Sequence, residues 1–132
     1  MKKDLTSKAD VATIVNDFYD RIRKEETLGP IFNRVITDWE THLETLVSFW
    51  EMNLFGGKGY SGNPIKVHQH VDSVTGNTIE AFHFGIWLNL WFATIDTHFA
   101  GENANNLKRR ARKMQTPIMI AIYEGRASKP DL

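Results

Sequence analysis

The chain has 132 residues, no cysteine, and 16 acidic and 16 basic side chains. This length is typical of one domain with a substantial core. Zero net charge gives no long-range field to attract nucleic acid or an acidic membrane, and the lack of cysteine excludes disulfides and thiolate chemistry. The first ten residues lack the apolar core of a signal peptide, and no run is long enough to span a membrane, so we expect a cytoplasmic protein.

Apolar residues recur at three- and four-residue spacing along the first half of the chain, which predicts an all-α fold. The first helix should span residues 8–24. Leu28-Gly29-Pro30 should end it, and a tight apolar corner of one or two helical turns should follow. Thr37 and Glu40 have the capping-box spacing, so the next helix should run from there to about Phe55.

The second half begins with Gly62-Asn63-Pro64, which should break any preceding helix and begin a short helical turn at Pro64. Residues 72–78 are polar and poorly periodic, and they should form a loop. Asn77 with Glu80 offers a cap for a central helix that is apolar nearly all round and ends near Phe99. A last helix should follow from about 103 to 123, kinked or interrupted at Pro117. The core of the single domain (1–132) should cover about 8–123, and 124–132 should be a frayed tail.

Two histidines follow Pro64 closely and are candidate metal ligands. Neutral imidazole is the commonest protein ligand for a transition metal, provided that the backbone is rigid and a neighbouring acceptor orients the ring. The Gly-Asn-Pro anchor favours His68 over its rival His70.

Several aromatic side chains with polar atoms lie on the inward-facing stripes of different elements. Tyr19, His42, Trp50 and Trp87 are of this kind, and Phe32 accompanies them. A buried Tyr O–H or Trp N–H needs a hydrogen-bond partner. The pattern therefore indicates either the wall of a polar site inside an apolar pocket or an ordinary aromatic core.

Five separated motifs together resemble the group III truncated haemoglobins. They are the stretches 18–23, 28–32, 39–50, 60–68 and 83–88. The resemblance covers about residues 10–122 in the same order, although the spacing from His68 to Trp87 is longer than is usual in the family. It implies a two-over-two helical sandwich that encloses haem b (iron protoporphyrin IX).

The resemblance also assigns roles to individual residues. It implies that His68 is the proximal iron ligand and that Tyr19, His42 and Trp87 form the distal ligand site. His42 has two readings there, as a hydrogen-bond donor or as a steric gate. The remaining expected haem contacts are Phe32, Leu46 and Trp50 along the pocket, with Tyr60 and Lys66 reaching the propionates or lying in solvent.

The function implied is the binding of dioxygen and other small diatomic ligands by a monomer. Peroxidase-like or nitric-oxide-consuming turnover at the same iron would need an external reductase, because the chain has no flavin or nicotinamide motif. The alternative is a haem-free helical interaction module. A histidine metal site without porphyrin is disfavoured, because the clustered His and carboxylate ligands of a helical-bundle site are missing.

Overall fold

The computed structural model describes residues 2–57, 60 and 62–127. Within these ranges there is no strand, and the all-α prediction is confirmed. The helices are α1 (Lys8–Lys24), α2 (Leu28–Val35), α3 (Trp39–Phe55), α4 (Pro64–Val74), α5 (Ala81–His98) and α6 (Glu102–Ala127). In the described part of the chain, no helix is both long and apolar enough to cross a membrane.

The four long helices form two packed layers. Helix α1 packs on α3 in one layer and α5 packs on α6 in the other, with α1 crossing α5 and α3 crossing α6. Between the layers, Phe18 and Trp91 are completely buried with their ring centroids 5.0 Å apart. Helix α4 lies outside this sandwich and packs chiefly on α6. The two-over-two arrangement is confirmed.

The junction between α1 and α2 differs from the sequence prediction. Helix α1 ends at Lys24, and Gly29 and Pro30 lie inside the first turn of α2 rather than between the helices. The Glu25 carboxylate accepts from the backbone N–H groups of Thr27 and Leu28, so it caps α2. Proline is tolerated there because the first turn has no intrahelical acceptors for its N–H groups.

The caps of α3 and α5 also differ from the predicted ones. Asp38, not Thr37, caps α3, because its carboxylate accepts from the Thr41 N–H at 3.1 Å. At α5 the cap residue is Glu80, whose own N–H donates to Nδ1 of His83 at 2.9 Å. A carboxylate satisfies the free N–H groups of a first turn as well as a hydroxyl or an amide does, so a nearby acid replaces the predicted cap, one residue later at α3 and three residues later at α5.

Two predictions about the ends of helices are wrong. Helix α4 continues to Val74, so Asp72 is helical and buried rather than part of a polar loop. Helix α6 runs uninterrupted through Pro117 to Ala127, so the first part of the predicted frayed tail is helical. The rest of that tail, residues 128–132, lies outside the described residues, as do Lys58, Gly59 and Ser61.

Candidate functional site

A cavity of about 550 Å³ opens between the two layers and α4. Its volume is in the range of sites for cofactors and other small molecules. Every helix contributes to the wall, and most of the lining is apolar or aromatic. The predicted site residues that line it are Tyr19, Phe32, His42, Leu46, Trp50, Tyr60, His68 and Trp87.

His68 enters the cavity from α4. Asn63 caps this helix by accepting from the Lys66 N–H at 3.2 Å, and Pro64 occupies its first position. One turn later, Nδ1 of His68 lies 2.6 Å from the Pro64 carbonyl oxygen. A carbonyl can only accept, so Nδ1 carries the proton and Nε2 keeps its lone pair. Burial lowers the pKa of His68 and the Pro64 carbonyl opposes this, so the ring is held largely neutral.

Tyr19 of α1 and Trp87 of α5 meet at another part of the wall. Tyr19 is only 5% exposed, and its ring contacts those of Phe18, Phe32, Trp39 and His42. Burial raises the pKa of the Tyr19 hydroxyl, and a hydrogen bond from the Trp87 side chain lowers it in part. An indole can only donate, so the Trp87 N–H donates to the phenol oxygen and leaves the Tyr19 O–H free to donate.

His42 of α3 stands beside Tyr19 without a hydrogen bond on one ring nitrogen. Its ring meets Tyr19 and Trp39 edge-on, with centroids 5.6 and 5.8 Å away. Its Nε2 is buried and has no partner among the described residues. Burial also lowers the pKa of this imidazole. An unpaired buried polar atom is costly, which points to a partner that the protein itself does not supply.

The structure separates the remaining predicted residues into two groups. Phe32, Leu46, Trp50 and Tyr60 line the cavity, and Tyr60 packs edge-on to Phe49 with centroids 5.0 Å apart. Lys66 and His70 are exposed, and neither lies on the cavity wall. Lys66 is therefore not brought to the site, and His70 is not in a position to rival His68.

Three residues near the site were not predicted from the sequence. His83 accepts a hydrogen bond from the N–H of Glu80, the cap residue of α5, and also lines the cavity. Asp72 and Arg126, assigned to a loop and a tail, form an ion pair between α4 and α6 in which Asp72 is buried. The four-residue spacing from His68 to Asp72 places both on one side of a helix, and it is the signal that could have drawn attention to Asp72.

The lining residues fit a porphyrin. The cavity is broad and mainly apolar, as a flat hydrophobic macrocycle needs, and one neutral imidazole enters it with a free lone pair on Nε2. Two polar groups, the His42 imidazole with its unpaired Nε2 and the Tyr19 hydroxyl, belong to the wall formed by α1 and α3.

A two-over-two sandwich of helices around such a cavity, with an imidazole from a separate short helix, is the arrangement of the truncated globin fold. No family model matches the chain. It is 27% identical over 128 residues to the group 3 truncated hemoglobin ctb of Campylobacter jejuni, a match that covers 94% of this chain and 97% of the relative.

The fold shows the same similarity. The crystal structure of the group III truncated hemoglobin from Campylobacter jejuni superposes with a TM-score of 0.82 at 28% identity, covering 93% of this chain and 96% of the other. The resemblance to the group III truncated haemoglobins that the sequence motifs indicate is confirmed.

Proposed function

We propose that the protein binds haem b through His68 and takes dioxygen and other small diatomic ligands on the side of Tyr19, His42 and Trp87. The observation that carries this proposal is the orientation of His68, whose Nδ1 is occupied by the Pro64 carbonyl at 2.6 Å. A metal-ligating histidine characteristically donates its other ring N–H to such an acceptor. The similarity to truncated haemoglobins supports the choice of haem.

The walls would hold the macrocycle mainly by apolar contact. Phe32, Leu46 and Trp50 present rings and a branched side chain to the cavity, and burying them against a porphyrin removes apolar surface from water. Tyr60 would reach a propionate, whereas the exposed Lys66 lies away from the cavity wall and would remain in solvent. When bound, the haem iron supplies an open coordination position for a diatomic ligand.

The distal residues would act on that ligand as hydrogen-bond donors. The Tyr19 hydroxyl is free to donate because Trp87 already donates to its oxygen. For His42, the buried and unpaired Nε2 favours a donor over a gate that swings into solvent. Donors held in a dry pocket stabilise developing negative charge more strongly than donors in water.

We propose a monomer that works in the cytoplasm on small ligands. The zero net charge supports this choice over a nucleic-acid partner or a membrane surface. Catalytic turnover, whether peroxidase-like or nitric-oxide-consuming, would require a separate reductase.

The test uses the purified protein and two matched variants of α4. The protein should bind one haem per chain and show an intense Soret band. His68→Ala should lose stable haem retention or recover it with added imidazole, because the protein bond to the iron is gone. His70→Ala removes an exposed imidazole two residues away and should leave the spectrum unchanged.

Two outcomes would overturn the proposal. A purified protein that takes up no haem would instead be the helical interaction module. Loss of the Soret band in His70→Ala but not in His68→Ala would move the ligand to His70.

A further inference from the structure

A partly buried ion pair joins α4 to the end of α6. Arg126 Nε lies 2.8 Å from Asp72 Oδ2, and its Nη2 lies 2.7 Å from Asp72 Oδ1. The Asp72 side chain is only 3% exposed. Two parallel bonds between planar groups fix direction as well as distance, so this pair orients α4 relative to α6.

The same guanidinium also holds the connection from α4 to α5. Its Nη2 donates to the Ile79 carbonyl at 2.7 Å, and its Nη1 lies 3.3 Å from Glu80 Oε1. Asp72 Oδ1 accepts from the Ile79 N–H at 3.1 Å. Both backbone groups of Ile79, a residue of the cavity wall, are therefore bound by the ion pair.

His68 depends on this arrangement because of its place on α4. Asp72 follows His68 by one helical turn and lies on the same side of the helix. Helix α4 is outside the two-layer sandwich and rests mainly on α6. A second hydrogen bond between α4 and α6 lies one residue from His68, where Gln69 Nε2 donates to the Ala121 carbonyl at 2.6 Å. The position of the imidazole therefore depends on how α4 packs on α6.

We propose that Asp72 and Arg126 are positioning residues for His68, which set where its Nε2 enters the cavity. This inference rests on the proposed haem binding. It adds that the ion pair between α4 and α6 sets the strength of the bond between His68 and the iron. Residues that orient a metal ligand from outside the coordination sphere change metal affinity by about 10- to 100-fold when they are replaced.

The experiment compares holoprotein variants. Arg126→Met removes the guanidinium group and keeps most of the aliphatic side chain. Asp72→Asn removes the charge and keeps the shape of the side chain. Arg126→Lys keeps the charge without the bidentate geometry. Arg21→Met is the matched control, because Arg21 forms a similar two-bond pair with Asp17 on α1, with N···O distances of 3.3 and 3.1 Å.

Three measurements are made on each variant. Haem transfer to an excess of a scavenging apoglobin gives the dissociation rate, and resonance Raman of the ferrous protein gives the iron–histidine stretching frequency. Amide hydrogen exchange in the holoprotein reports how strongly the amides of α4 are protected relative to those of α5.

We expect Arg126→Met and Asp72→Asn to release haem about 10- to 100-fold faster, to shift or broaden the iron–histidine band, and to expose the amides of α4 selectively. Arg126→Lys should fall between them and the parent, and Arg21→Met should match the parent. An unshifted band and unchanged exchange in α4 in Arg126→Met would make the pair merely structural, even if the melting temperature falls. If Arg126→Met does not fold, the same two readings in Arg126→Lys decide. A parent protein without haem would instead overturn the proposed function.

Discussion

The nearest backbone group determines what each cavity-lining histidine can do. At His68 the neighbour is a carbonyl, so the proton sits on Nδ1 and Nε2 is free for a metal. At His83 the neighbour is the N–H of Glu80, so Nδ1 must accept and a neutral ring carries its proton on Nε2. Three imidazoles share one cavity, but His83 has no lone pair to offer at Nε2. The local geometry thus favours His68 over His83 as a ligand.

The distal donors can be tested one at a time. Tyr19→Phe should raise the dioxygen dissociation rate about tenfold to a hundredfold, which corresponds to losing a charge-assisted hydrogen bond of about 1.5–3 kcal/mol. Trp87→Phe should raise the same rate by a smaller factor, because the Trp87 N–H acts on the ligand through the Tyr19 oxygen. Carbon monoxide carries less charge when bound and should respond less. Stopped-flow measurements on the ferrous proteins give both rates.

The hydrogen bond between Tyr19 and Trp87 can be tested with the double variant. Since Trp87 donates to the Tyr19 oxygen, part of the Trp87 effect should be lost in a Tyr19→Phe background, so the double variant should be less than additive. Tyr123→Phe is the control, because that hydroxyl is bonded to Glu80 and its side chain lies outside the cavity wall. If both single variants release dioxygen at the parent rate, Tyr19 and Trp87 contribute only packing.

At the scale of elements, the sequence was informative where the determinants are local. Asn63 and Pro64 lie within three residues of the turn they begin, and both the start of α4 and the candidate His68 could be predicted from them. Asp72 and Arg126 are 54 residues apart, and each looks like solvent-exposed polar sequence until α4 and α6 are packed together. Both residues lie in the last turns of their helices, beyond the ends that periodicity predicts.

Glycine positions give a direct test of how closely α1 and α2 approach. A Cβ on Gly29 would lie 2.6 Å from the Arg23 carbonyl oxygen, whereas one on Gly85 would meet nothing within 4 Å. Gly29→Ala should lower the free energy of unfolding by about 1–3 kcal/mol through overpacking against backbone. Gly85→Ala, inside α5, should raise it by about 0.5–1 kcal/mol.

Denaturant unfolding of the two glycine variants measures both changes under identical conditions. The informative result is that the free energy of unfolding changes in opposite directions. The same Gly→Ala substitution is made at a crowded position in α2 and at an open position in α5. Equal stabilisation by both would mean that the close approach of α2 to the end of α1 is absent in solution.

At the scale of the whole molecule, the cavity exists because of which helices pack on each other and which do not. The layer of α1 and α3 meets the layer of α5 and α6 through Phe18, Trp50 and Trp91, which fill one end of the sandwich. Helix α4 is seated on α6 instead of on α3, so the space between α3 and α4 is left to the cavity. A smaller cleft of about 410 Å³, between α1 and α3, shares Tyr19 with it. The general two-layer fold could be predicted from helical patterning, but this void could not, because it is a property of side chains from six helices at once.

Removing haem should therefore loosen the whole protein. A ligand that binds only the folded state stabilises it by about 2.7 kcal/mol at a concentration of 100 times its dissociation constant and by about 4 kcal/mol at 1,000 times. For a chain of this size each kcal/mol corresponds to roughly 3–5 °C, so the haem-free protein should melt on the order of 10–20 °C lower than the holoprotein.

Iron-free protoporphyrin separates the two parts of this stabilisation. It occupies the same volume against Phe32, Leu46 and Trp50 but forms no bond with His68, so its complex should melt between the haem-free and haem-bound proteins. In His68→Ala, haem and the iron-free porphyrin should stabilise to a similar extent, because neither has a protein ligand. Calorimetric scans of the five samples make the comparison, and equal melting temperatures with and without haem in the parent protein would contradict a buried pocket.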